Sequence, residues 1–130
     1  MLKGAEVKKL LKKEGINTKY VRVSTRTGSY KIELTDWSVS EKEVLKIMRR
    51  HGLEKYTVCE ATGDILLGGN TFVFVNYDWK LEPSLEIQVT VAAIRNTYAN
   101  PEEARYHIIN DCVNQGIPRV AVERALRMIK

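Results

Sequence analysis

The sequence predicts an α+β domain, an antiparallel sheet with packed helices in the order α-β-β-α-β-β(-β), followed by a C-terminal helical pair. Three observations predict it. Two short segments, 20–23 and 30–34, alternate apolar and polar residues on either side of a turn. A helix with a well-marked start follows at Ser40, and strand-like runs return between 56 and 75. Helical stripes then reappear between 100 and 130.

Residues 3–14 form the first expected helix. Val7, Leu10 and Leu11 lie at helical spacing, Lys8, Lys9, Lys12 and Lys13 occupy the outer face, and Gly15 suits the left-handed position past its end. The hairpin comes next, with 25–29 as its turn and Arg22, Lys31 and Glu33 on its polar face. Ser40 and Glu43 match a capping box, and Val39 and Val44 are placed for the hydrophobic staple. Val44, Leu45, Ile47 and Met48 supply that helix's buried stripe. Arg49, Arg50 and His51 fall in its last turn, where cations oppose the negative end of the dipole.

Residues 56–60, 65–67 and 71–75 are expected strands separated by turns at 61–64 and 68–70. The run 71–75 is apolar on both faces, which predicts a central place in the sheet. Residues 85–99 satisfy two periodicities. Leu85, Ile87, Val89 and Val91 alternate with Glu86, Gln88 and Thr90, whereas Ile87, Val91, Ile94 and Tyr98 would make a helical stripe. The β-branched content favours a strand that extends the sheet. Asn100 and Pro101 then open a helix with Ile108, Ile109 and Cys112 inward, and Gly116 stops it. Pro118 opens the last helix, whose stripe is Val122, Ala125, Leu126 and Ile129. The 130 residues suit one domain, with 1–78 as its helix, hairpin, helix and sheet portion and 84–130 as the sheet-extending segment and helix pair.

Charge is unevenly spread. Residues 1–55 carry 14 Lys/Arg against 7 Asp/Glu, and residues 56–130 carry 7 against 9. Such asymmetry attracts polyanions or acidic proteins, although a solvated helix face explains any one lysine cluster equally well. No apolar run reaches the length needed to span a bilayer, and no secretory leader is visible, so the expected setting is the cytoplasm and no membrane partner. Two cysteines far apart, Cys59 and Cys112, suit a reducing compartment.

Catalytic patterns are missing from the sequence, and the expectation is no enzyme, no cofactor and no metal. Residues 67–71 have glycines but neither the lysine nor the hydroxyl of a phosphate loop, and a hairpin turn explains them. His51, His107, Cys59 and Cys112 lack the spacing of a zinc site. Glu60 and Asp64 flank a turn, as carboxylates commonly do. Cys112, on an apolar stripe, reads as core.

Binding signals remain. Arg22, Arg26 and Lys31 lie near Tyr20 and Tyr30, a pairing of cations with rings that can hold phosphates and stack bases. Arg119, Arg124, Arg127 and Lys130 make the last helix basic. Together with Arg49 and Arg50, these arginines and Lys31 are the candidate partner-binding residues. For nucleic acid, the alternative, the candidates are Lys8, Lys9, Lys12, Lys13, Arg22 and Arg26. Trp37, Trp79 and Tyr98 are the candidate aromatic anchors.

Three resemblances sit on these segments. With Gly116 at the turn, Cys112 in the small-residue position and Val122 buried, the last two helices partly resemble a helix-turn-helix reader, from which Pro118 and Gln115 depart. Gly116-Ile117-Pro118-Arg119 followed by Ala121, Val122, Ala125 and Leu126 looks like the first turn of ubiquitin-associated-type bundles, whose third helix would lie beyond Lys130. The basic hairpin, the capped helix at Ser38-Val39-Ser40-Glu41 and the stretch 62–75 resemble small β-hairpin-plus-helix modules among the large polyvalent protein-associated domains of phages and plasmids, over about half the chain. That last resemblance implies a mobile-element accessory protein in the host cytoplasm that counters host defence. It would act like an anti-CRISPR protein, by occupying a surface of a nuclease complex. A protein or nucleoprotein partner is therefore expected, nucleic acid alone is the alternative, and a homodimer stays open.

Overall fold

The computed structural model describes residues 2–55 and 70–129. They form an α+β fold, and the chain divides into two compact units, Met1–Asp78 and Trp79–Lys130. The expected strands at 56–60 and 65–67, Cys59, Glu60, Asp64 and the turn at Gly68 and Gly69 lie outside the described residues, as does Lys130.

In the first unit, α1 (Gly4–Lys13) and a 3-10 turn (Thr18–Tyr20) lead into β1 (Val21–Arg26) and β2 (Ser29–Leu34). The two strands pair antiparallel, with Arg26 opposite Ser29, so only Thr27 and Gly28 make the turn. Gly28 has a φ of 80°, which an L side chain rarely adopts, so the tight turn depends on it. α2 (Glu41–Arg50) follows, and Ser40 Oγ accepts the Glu43 N–H at 3.2 Å, the cap its sequence predicts.

β3 (Phe72–Tyr77) then pairs with β2, and here one expectation is corrected. The sheet is mixed, because β2 and β3 run parallel. Among the described strands the order is β1-β2-β3, and Thr71, just before β3, forms an antiparallel bridge with Lys55 on the side away from β2. A parallel neighbour needs a crossover, and α2 supplies it. One face of the sheet, with Val21, Tyr30, Ile32, Leu34, Val73 and Tyr77, is buried together with Val7 and Leu11 of α1 and Val44, Ile47 and Met48 of α2. Two buried or half-buried hydroxyls pin this layer. Tyr30 Oη accepts the Leu2 N–H at 2.8 Å, and Tyr77 Oη donates to the Val39 carbonyl at 2.6 Å. The start of α1 comes close to β1, since a methyl group on Gly4 would lie 3.2 Å from the Val23 carbonyl oxygen.

The second unit is a trio of helices: α3 (Leu85–Arg95), α4 (Arg105–Asn114) and α5 (Arg119–Met128). Residues 85–99 therefore do not extend the sheet. Ser84 Oγ caps α3 by accepting the Ile87 N–H at 3.2 Å. Val91 is fully buried with Ile108, Ile109, Cys112, Val122 and Ala125, and Ile87, Ile94 and Tyr98 pack against that cluster. Leu85 and Val89 point outward, 75% and 60% exposed. The alternation at 85–91 thus comes from two apolar stripes, inner and outer, offset by two residues on one helix. Regular α4 begins at Arg105, after a turn in which the Ala104 N–H bonds to the Asn100 carbonyl at 3.1 Å.

Candidate functional site

Strand periodicity and register together build the second face of the sheet, uncovered among the described residues. Across β1, β2 and β3 it presents three rows: Arg22, Glu33 and Asn76; Ser24, Lys31 and Phe74; Arg26, Ser29 and Phe72. Arg22 is bound within the fold. It ion-pairs with Glu33 and, at 2.6 Å, with Asp78, and its pKa is raised by the Asp78 hydrogen bond first and by Glu33 as well. Arg26 and Lys31 are exposed, and no ion pair among the described residues involves either. Phe74 is 53% exposed beside Lys31. The Phe72 ring, half-buried, lies 6.4 Å from that of Phe74 and is tilted from it by 30°.

The other candidate cations are placed elsewhere. Lys9, Lys12 and Lys13 are exposed and Lys8 half-buried on α1, the helix over the covered face, and so belong to the side of the sheet opposite Arg26 and Lys31. Arg49 pairs with Glu54 at 2.8 Å. Arg50 and His51 both meet Glu14 just past the end of α1, His51 Nε2 at 3.0 Å. That carboxyl is held below the ordinary value, first by the His51 hydrogen bond and further by the Arg50 charge, against an opposing effect of burial. The trio therefore ties the ends of α1 and α2 together.

In the second unit, Arg119 pairs with Glu123 at 3.1 Å one turn along α5, and Arg124 Nη1 donates to the Leu81 carbonyl at 2.6 Å. Arg127 is exposed. The exposed basic surface of α5 is thus smaller than its composition suggests. The third helix of this unit is α3, which precedes the Gly116 turn rather than following α5.

No family model, curated protein or solved structure matches this chain.

Among the described residues no group of three or more His, Cys, Asp or Glu side chains is arranged to hold a metal. Cys112 is buried, and burial pushes its thiol pKa up, away from nucleophilic use. His107 is exposed with its ring edge-on to Tyr106. A hollow of about 330 Å³ lies beside Leu2, Tyr30, Gly52, Leu53, Lys55 and Thr71, and its described lining holds neither histidine nor carboxylate. One of about 260 Å³ in the second unit, lined by Arg95, Pro101, Glu102, Arg105, Ile108 and Leu126, holds a single carboxylate. No described helix is long and apolar enough to cross a membrane.

Of the three candidate aromatic anchors, Trp37 is half-buried against the Tyr77 ring at 4.6 Å, and Tyr98 is half-buried with its hydroxyl donating to Asp111. Trp79 is 78% exposed, with Lys80 Nζ 5.2 Å from its ring centroid. Phe74 is the ring that sequence reasoning missed. The apolar character of both faces of 71–75 was visible, but which face is covered follows only from the parallel register with β2.

Proposed function

We propose that this chain is a non-enzymatic binding protein that docks on a nucleoprotein partner through the uncovered face of its sheet. One observation carries the reading: Arg26, Lys31 and Phe74 share that face in adjacent rows, with no ion pair to either cation among the described residues. Desolvating an exposed aromatic ring supplies affinity, and neighbouring charges steer the encounter and set its register. In the setting implied by the resemblance to mobile-element modules, the docking inhibits a host-defence nuclease complex in the manner of anti-CRISPR proteins. Cytoplasmic action fits that setting.

The test compares the tagged chain with a Lys31→Glu/Phe74→Ala variant as bait in host lysate, with and without nuclease treatment. The expected result is a stoichiometric partner held by the parent chain and lost by the variant. Capture of no partner, or of one that the variant holds equally well, overturns the proposal.

A further inference from the structure

We infer that the uncovered sheet face binds single-stranded nucleic acid, with a base stacked on Phe74 and the neighbouring phosphates held by Lys31 and Arg26. This rests on the preceding reading of that face as the docking surface and names the ligand it takes.

A solitary exposed ring is ordinary on a protein surface. Phe74 is distinguished by its row. Lys31 is its direct neighbour on β2, about 5 Å away across the strands, and Arg26 lies beyond Lys31 on β1, one strand further across and one row, about 7 Å, along the strand direction. A nucleotide separates its flat base from its charged phosphate over a span like that from Phe74 to Lys31, and Arg26 lies within reach of the next phosphate along the strand. Every base has a π-face, so stacking on a phenyl ring beside a cationic track binds single strands with little regard to sequence. Phe72 lengthens the apolar strip on the same strand.

Glu33, the carboxylate within these rows, is engaged by Arg22, so its charge does not stand unopposed against a phosphate. Arg22, Arg26 and Lys31 outweigh Glu33 and Asp78, leaving a net positive charge. Duplex DNA fits the surface poorly. The major groove admits a helix or a two-stranded ribbon, and a paired base offers Phe74 no free face.

The full-length chain is titrated into labelled single-stranded DNA and RNA of about 12 nucleotides, within the site sizes such surfaces cover. A duplex of the same length is titrated in parallel, at several salt concentrations. Single strands should bind more tightly than the duplex, with log affinity falling against log salt at a slope of about −1.4 for two phosphate contacts. Phe74→Ala should weaken binding by about 5- to 100-fold, and Phe74→Trp should restore it. Lys31→Ala should reduce the slope by about 0.7. Lys12→Ala, on the opposite side of the sheet, should change nothing.

Equal or tighter binding of duplex, no binding at low salt, affinity that survives Phe74→Ala, or affinity lost with Lys12→Ala overturns the inference. Circular dichroism confirms that each variant is folded. If single strands fail to bind while a protein from nuclease-treated lysate is still captured through Phe74 and Lys31, the docking surface stands and its assignment to nucleic acid falls.

Discussion

Glu14 shows how much one surface carboxylate can organise. It lies just past the end of α1 and receives Arg50 and His51 from the end of α2, 36 and 37 residues further along the chain. Its pKa is depressed in the folded state, so its contribution to stability is complete above the ordinary carboxylate value. The contribution is lost as pH falls from that value through the lower folded one. Chemical denaturation at about pH 6 and about pH 3 should therefore show a drop in midpoint that Glu14→Gln makes smaller. An identical drop in the variant would show that the tie between α1 and α2 does not depend on this charge. No local pattern announces the contact, because its partners belong to helices whose positions are fixed only by packing on the sheet. Ser40 is the opposite case: its hydroxyl accepts the N–H of Glu43, only three residues on, and is legible at once.

Among the elements, α3 is the one whose sequence misleads. Strict alternation over 85–91 is normally the mark of a half-buried strand. Here Ile87 and Val91 face the other two helices while Leu85 and Val89 face outward, and helical spacing accommodates both sets. The decisive signals were short: Ser84 as an N-cap and Glu86 in the first turn. Val91→Ala should cost about 2 kcal/mol by leaving a cavity, whereas Val89→Ala should stay within about 0.5 kcal/mol. Equal losses at the two positions in denaturant titrations would contradict the helical assignment. The basic hairpin was legible because strand alternation alone puts Arg22 and Lys31 on one face and apolar residues on the other. Phe74 was not, since the sequence of β3 is apolar on both sides and says nothing about its neighbour. The α+β class survives this ambiguity, because it needs only the hairpin and the capped helices.

For the molecule taken together, the second unit has a hydrophobic centre of its own. Val91, Ile108, Ile109, Cys112, Val122 and Ala125 form one cluster drawn entirely from α3, α4 and α5. The second unit is small, and small cores are only marginally stable. Ile108→Ala should lower hydrogen-exchange protection throughout these three helices while leaving the β2 amides protected. Uniform loss across both units, followed by mass spectrometry, would show that they unfold as one. The sequence suits one domain with a junction between its portions 1–78 and 84–130, and the structure's two units meet at that junction, but the affiliation of α3 with the later helices was hidden by its alternation.

The parallel pairing of β2 with β3 also sets an order of assembly. A two-residue turn closes β1 onto β2, whereas residues 35–71 must be traversed before β3 can align. Ring-closure entropy rises with chain length, so β3 is the costlier strand to recruit. Arg26 and Lys31 are thus brought into register before β3 is recruited, and Phe74 joins them when β3 pairs with β2. A ligand that needs all three rewards only the finished fold, and its presence would hold that strand in place.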